Sequence, residues 1–397
     1  MKEGWEYSTI GDLCDKINGL WKGKVGPFVN VGVVRNANFT KAFTLSFDNI
    51  EYLDVEAKQY KTRKLQKGDL IVEKSGGSEK QPVGRTVLFD KEDGEYSFSN
   101  FTSVLRIKDR GIILPEFLYK YILFVYLRGD TRKMQKATTG IHNIEFDKFL
   151  SIPVPVLSLS EQQSIVDYLD SAFAKIDAMK ANAEKSLNEA KALFQASLKE
   201  MLEPKEGTKW GTIGDLFETY SGGTPTKSNK EYYEGGSIPW LRSGEVCQKE
   251  ITETEMFITE KGLKESSAKY YPENTVVIAM YGATAAQVGI LRIVSTSNQA
   301  VCGILPHKDF LPEFIYYWFR SIEDKLAAQA QGGAQPNISQ QKIKKVEIPI
   351  YSITEQQSIV ATLDSLKSKV DKLQENFDKI SQECDALKQA ILRQVFE

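Results

Sequence analysis

Toward the end of the chain, Ile359, Leu363, Leu366, Val370, Leu373, Phe377, Ile380, Cys384, Leu387 and Ile391 recur at alternating spacings of four and three. That rhythm is the heptad seam of a coiled coil. An earlier stretch carries Ile165, Leu169, Ala172, Ile176, Met179, Ala183, Ser186, Ala190, Leu193 and Ser197 at the matching positions, with small residues through its middle. Ser160-Glu-Gln-Gln163 and Thr354-Glu-Gln-Gln357 both fit the S/T-x-x-E/Q capping box, and neither following segment is broken by Pro or Gly. Helices are predicted over about 161–202 and about 355–396, each roughly 60 Å long.

A seam of large side chains beside a seam of small ones suits two helices packed on each other. An antiparallel pair is expected, because the long segment between them can carry the chain back along the first helix. The first helix has a further apolar line, Phe173, Leu187, Phe194 and Leu198, which one partner helix cannot cover. It implies either a helix of another protein or contact with the chain's own globular parts. Glu161, Gln162, Glu355 and Gln356 are open to two readings of their own, as partner contacts or as helix caps.

Between the helical stretches the pattern changes to short β-branched and aromatic runs, such as Leu70-Ile-Val72, Thr86-Val-Leu-Phe89 and Thr275-Val-Val-Ile278, separated by glycine-rich turns. Short helices are predicted at Pro115 and Pro312, where proline suits the first turn. The chain is also a repeat. Thr9-Ile-Gly-Asp-Leu13 returns as Thr212-Ile-Gly-Asp-Leu216, Leu114-Pro-Glu-Phe117 as Leu311-Pro-Glu-Phe314, and Glu161-Gln-Gln-Ser-Ile-Val166 as Glu355-Gln-Gln-Ser-Ile-Val360. The offset is 203 residues at the start and 194 from Asn143 and Asn337 onward, so the second copy is nine residues shorter in its globular part. The expected class is α+β: globular domains over 1–155 and 204–350 alternate with helical spacers over 156–203 and 351–397, the helices forming an antiparallel coiled coil.

Composition narrows the picture. With 41% hydrophobic and 26% charged residues, no run of eighteen apolar residues and no apolar stretch near Met1, a cytoplasmic protein without membrane contact is expected. Cys14, Cys247, Cys302 and Cys384 are far apart, and with His142 and His307 they make no metal-ligand spacing. Net charge is -2, but Lys plus Arg against Asp plus Glu is 24 to 20 over 1–155, 5 to 8 over 156–203, 16 to 17 over 204–350 and 6 to 8 over 351–397. Bulk electrostatics would hold a polyanion weakly, so nucleic-acid binding would need local basic loops and a partner that adds positive charge.

Two copies of a domain ending in Pro-x-x-x-x-x-Glu-Gln-Gln-x-Ile-Val, each followed by a heptad helix, resemble the specificity subunits of type I restriction-modification systems over the whole chain. The opening of the second copy, Ser221-Gly-Gly-Thr-Pro-Thr226 with Ile238-Pro-Trp-Leu-Arg-Ser-Gly-Glu245, is similar to many recognition domains of that family. The first copy departs from it with Ile17-Asn-Gly-Leu-Trp-Lys-Gly-Lys24, which suits a different half-site. The resemblance implies a non-catalytic protein whose two domains each read half of a bipartite site in double-stranded DNA. It implies helices that set the spacing and dock two modification subunits. Those subunits, not this chain, would bind S-adenosylmethionine and methylate adenine, and restriction subunits can join.

Base edges are read by Arg, Lys, Asn and Gln, while Ser, Thr and glycine-loop amides hold phosphates. Candidates in the first domain are Lys22, Lys24, Arg35, Asn36, Lys74, Ser75, Arg85, Lys136, Thr138, His142 and Asn143. In the second they are Ser221, Gly223, Thr224, Thr226, Lys227, Arg242, Ser243, Tyr281, Thr284, Gln335 and Asn337. Each competes with the reading of a solvated loop residue, and Asn143 and Asn337, matched in the repeat, with that of a turn residue. Gly19-Leu-Trp-Lys-Gly-Lys24 has the wrong gap for a phosphate loop and lacks the Ser or Thr after its lysine. No nucleophile, base pair of carboxylates or cofactor loop points to catalysis. The rival function is a coiled-coil adaptor without DNA specificity of its own.

Overall fold

A computed structural model of the chain describes residues 4–21, 23, 25–138, 141–329 and 337–397. It resolves into two compact units, residues 1–183 with 378–397, and residues 184–377. Each holds one globular domain and part of each long helix.

In the first unit, the strand Glu6–Thr9 pairs antiparallel with Pro153–Val156, so the domain's two ends close on each other just before the long helix starts. A four-stranded antiparallel sheet runs in the order Cys14–Asn18, Thr102–Ile107, Leu70–Glu73, Thr86–Leu88. Onto it packs the helix Pro115–Arg128. Its run Phe117-Leu-Tyr-Lys-Tyr-Ile-Leu-Phe-Val125 is apolar nearly all round, which suits an element buried on every side. Proline opens this helix and Gly129, at φ +89°, closes it in the left-handed conformation. A second sheet places Phe28–Val34 between Glu51–Glu56 and Tyr96–Phe98. A third joins Gln135–Thr138, Ile141–Ile144 and Ser75–Gly77.

The second unit repeats the plan. Lys209–Thr212 pairs with Glu347–Ile350, and the main sheet runs Thr219–Ser221, Val301–Ile304, Val276–Ala279, Val288–Leu291, Glu250–Ile251. The helix Pro312–Ser321 covers it, and Ile238–Leu241 lies between Phe257–Ile258 and Thr296–Ser297. Cys14, Cys302 and Cys384 are buried and Cys247 is exposed; burial pushes the Cys14 and Cys302 thiols up to about 12, which leaves them inert.

The central helix is Leu159–Leu202 and the distal helix Ile353–Phe396. Each starts two residues earlier than expected, because the capping box is Ser158 with Glu161 and Ser352 with Glu355. The Ser158 hydroxyl and N–H both donate to Glu161 Oε2, at 2.6 and 3.1 Å, and Ser352 does the same to Glu355 at 2.7 and 2.9 Å.

In the first unit the helices run antiparallel: Asp177 meets Lys388 at 2.5 Å, Lys180 meets Asp385 at 3.5 Å, and the Cys384 thiol lies 3.7 Å from the Ile176 carbonyl. In the second unit Lys191 donates to Gln374 at 2.8 Å in the same inverse order.

The seam of the central helix differs from the expected one. Leu169 and Ile176 are buried as predicted, but the other buried positions lie one residue later than predicted, at Val166, Phe173, Leu187, Phe194 and Leu198, while Met179 and Leu193 are 59% and 60% exposed. The heptad copied from the distal helix was in the wrong phase, because the globular domains as well as the partner helix decide which face is covered. Phe173 joins the core of the first unit, and Phe194 and Leu198 that of the second. Leu187 is buried too. The burial of these residues needs no foreign helix. On the distal helix Leu363, Val370 and Cys384 are buried as expected, whereas Leu387 is exposed and the inner face continues through Leu392 and Phe396. Phe396 packs against Phe117, Tyr121 and Phe124, with ring centroids 5.2 to 5.8 Å apart.

Candidate nucleic-acid interface

In each unit one strand delivers an arginine to the candidate surface. Phe28–Val34 delivers Arg35 in an extended conformation, followed by a turn over Asn36–Asn38, and the Arg35 N–H donates to Asn38 Oδ1 at 2.9 Å. Ile238–Leu241 likewise delivers Arg242 ahead of the turn Ser243–Glu245, and the Arg242 N–H donates to Glu245 Oε1 at 3.0 Å. Both guanidinium groups are part exposed and tied to carboxylates, Arg35 to Glu51, and Arg242 to Glu245 and Glu255. Glu245, then Glu255, holds the Arg242 guanidinium above its ordinary range. Such pairs aim a cation before a phosphate or base edge competes for it.

In the first unit the turn is bound to the third sheet. Asn36 Nδ2 donates to the Ser75 carbonyl at 2.6 Å, and a Cβ on Gly76, whose φ is +106°, would sit 3.0 Å from that nitrogen. Ser75 lies opposite Asn143, Gly77 opposite His142, and Lys136 opposite Asn143. The structure thus brings Arg35, Asn36, Lys74, Ser75, Lys136, His142 and Asn143 onto one small region. Asn36 Oδ1, Arg35 Nε and His142 Nδ1 are buried there without a hydrogen-bond partner. Burial, with the like charge of Lys16, draws the Lys74 amine below its usual range. Thr138 pairs with Ile141 through its backbone. Lys22 and Lys24 lie outside the described residues.

Arg85 is not a surface reader. It is buried, its Nε lies 3.1 Å from Glu73 Oε2, and it donates to the Phe39 and Asn36 carbonyls at 3.3 Å each. It braces the turn that carries Asn36. Burial pushes the Glu73 carboxyl up, against the opposing pull of Arg85.

In the second unit Ser221 hydrogen-bonds Gln340 at 3.2 Å, and Gly223 is a packing glycine. A Cβ there would come within 2.3 Å of the Ala268 nitrogen, while its carbonyl accepts from Trp240 Nε1 at 3.0 Å. Thr224, whose hydroxyl contacts Gln299, lines a depression of about 500 Å³ with Lys227, Arg242, Asn298 and Gln299. Thr226 accepts from the Asn229 N–H in the next turn, and Ser243 opens the turn after Arg242. Tyr281 pairs with Asn337, and the Thr284 hydroxyl donates to the Tyr281 carbonyl at 3.4 Å. Gln335 lies outside the described residues.

Asn298 and Gln299 were missed by sequence reasoning. Their signal was the polar pair Asn298-Gln299 between two buried strands, where Ser99-Asn100 stands in the first copy. Gln162 and Gln356 turn inward. Leu114 N–H donates to Gln162 Oε1 at 2.8 Å, and Gln162 Nε2 donates to the Ile112 and Leu157 carbonyls at 2.8 and 2.9 Å. Gln356 repeats this with Leu311, Asp309 and Tyr351 at 2.8, 2.8 and 2.9 Å. Both are buried latches between helix and domain, which corrects the reading of these two as partner contacts. Among the described residues no group of three metal-ligating side chains occurs, and no helix is long and apolar enough to cross a membrane.

The family described as the type I restriction modification DNA specificity domain matches residues 2–189 and 205–382. The EcoR124I/EcoR124II specificity subunit of Escherichia coli is 32% identical over 216 residues, 53% of this chain and 52% of that one, so the match spans about half of that relative. The HindI specificity subunit of Haemophilus influenzae is 23% identical over 90% of this chain and 91% of its own. In fold, the chain is similar to a structure from work on complex assembly and conformational transition of the type I R-M system, with a TM-score of 0.76 at 18% identity over 100% of this chain and 98% of that one. It is also similar to the HsdS subunit crystal structure from Thermoanaerobacter tengcongensis, with a TM-score of 0.58 at 18% identity over 100% and 97%.

Proposed function

The chain belongs to the family of type I restriction-modification DNA specificity subunits, a non-catalytic family, and from that premise we propose that it selects a bipartite site in double-stranded DNA for two adenine-methyltransferase subunits. The domains over 1–155 and 204–350 each read one half-site. The helical segments 156–203 and 351–397 set the spacing and dock the modification subunits, which bring S-adenosylmethionine. Restriction subunits can join the same assembly, and host DNA puts the work in the cytoplasm.

One observation carries the reading of two half-sites. Arg35 and Arg242 leave equivalent strands into equivalent turns, yet the groups around them differ, with Asn36 and Ser75 in one unit where Ser243 and Tyr281 stand in the other. Two surfaces of one plan with different donors and acceptors suit two different base sequences. The near-neutral charge fits a protein that borrows positive charge from its partners. The test is binding of the chain, complexed with its methyltransferase, to cognate and scrambled duplexes over a salt series. Preference for the cognate duplex with affinity falling as salt rises supports the reading, and equal indifference to both duplexes supports the adaptor.

A further inference from the structure

The loop after Asn18 was singled out as departing from the second copy, and its described residues hold an exposed aromatic. Trp21 is 63% exposed, with Val25 at 74% and Phe28 at 50% nearby in the chain. Tryptophan is enriched at interfaces, where its ring is covered by a partner. The loop is nevertheless tied down. The Trp21 N–H donates to Gln59 Oε1 at 3.1 Å, the Val25 N–H to Glu56 Oε1 at 3.0 Å, and Gln59 Nε2 donates to Glu56 Oε2 at 2.9 Å. A Cβ on Gly23 would collide with the Glu56 side chain at 2.2 Å, so the glycine lets the loop close over that carboxylate.

Backbone hydrogen bonds give the position of Trp21 in the plan of the domain. Asn18 lies opposite Ser103 as Ser221 lies opposite Cys302. The Leu20 N–H donates to the Phe98 carbonyl as the Gly223 N–H donates to that of Ser297, both at 2.9 Å. Trp21 therefore occupies the place of Thr224, the residue that in the second unit lines the depression beside Arg242 and Gln299. Within its own unit, Leu20 bridges Ser99, and Ser99 donates to the Val34 carbonyl next to Arg35.

We infer that Trp21 is a DNA-contacting residue of the first recognition domain, its indole packing on a base or wedging at a base step of that domain's half-site. The inference rests on the proposed reading of DNA by this domain. Its backbone connection through Leu20 and Ser99 to the strand end that carries Arg35 favours DNA over a protein, and so do Lys22 and Lys24, which follow it in the sequence. An exposed aromatic ring can stack on a base or wedge at a base step, while cations near it in the chain meet the phosphates.

The experiment compares the intact complex of chain and methyltransferase with its W21A and W21F forms. It measures complex assembly, affinity for the cognate duplex, and emission of 2-aminopurine placed at each step of the first half-site. With assembly unchanged, W21A should bind the duplex between about fivefold and about a hundredfold more weakly and W21F less so. Emission should rise at one step with the parent protein and not with W21A. Unchanged duplex affinity in W21A overturns the inference, as does a loss traced to failed assembly, which would assign the indole to a protein partner. If the parent complex itself shows no preference for the duplex, the proposed function fails first, and that outcome is read before any variant is made.

Discussion

The two recognition units share a hydrogen-bond skeleton and differ in the side chains it carries, inside as well as at the surface. Ile144 N–H donates to the Lys74 carbonyl at 2.9 Å, and Ile338 N–H to that of Met280 at 2.8 Å. Asp170 on the central helix holds Lys120 of the first domain at 2.5 Å, and Asp364 on the distal helix holds Lys249 and the Tyr317 hydroxyl of the second. The aspartate stays while its partner changes from the chemistry of one domain to that of the other. Other exchanges are larger: Trp21 against Thr224 at the surface, Ser75 against Tyr281, and, inside, the buried Arg85 and Glu73 pair against Gln287 and Ala279. A framework that tolerates such exchanges can change what it reads without changing how it folds.

That comparison breaks most severely at Arg85. Arg85→Ala leaves Glu73 buried without its charge partner and should destabilise the first unit by about 3–5 kcal/mol in denaturant unfolding. The double variant Glu73→Ala with Arg85→Gln installs the second unit's pair and should recover most of that loss. Failure to recover would mean that the units differ more deeply than their hydrogen-bond skeleton suggests.

The latches should behave alike. Gln162→Ala and Gln356→Ala each strand a buried N–H and two carbonyls, so each should cost about 2–3 kcal/mol, with closely similar values. A large inequality in the same unfolding assay would count against equivalent roles. The surfaces should behave separately. Arg35→Ala should relax discrimination at the first half-site alone, and Arg242→Ala at the second alone, each by about tenfold in competition binding. Cross-talk between the half-sites would contradict independent reading.

The smallest expected effect is at the caps. The hydrogen bonds from Ser158 and Ser352 hold the Glu161 and Glu355 carboxyls below the usual 4.5, so these carboxylates favour the folded helix starts above that pH. The contribution should fade as pH falls below 4.5 through the folded values, seen as lower amide protection, relative to the unprotected exchange rate at each pH, in the first turns of both helices. Glu161→Gln should flatten that dependence at the central helix only.

The repeat and both long helices were legible in the sequence because capping residues and four-three spacing are local signals. The phase of the central helix was not, since Ile165, Ala172 and Met179 form as good an apolar line as the buried one and only the folded domain chooses between them. The candidate surface was partly legible. Arg35, Asn36, Ser75 and Asn143 were named from residue type, but their convergence depends on strands far apart in the chain. Arg85 misled for the same reason, because nothing near it in sequence announces Glu73 as its buried partner.

The most direct test of the central claim is a map of N6-methyladenine on host DNA when the chain is co-expressed with its methyltransferase. The account predicts a two-part motif with a fixed gap, present only with the intact chain. A stable complex that methylates no such motif would contradict it.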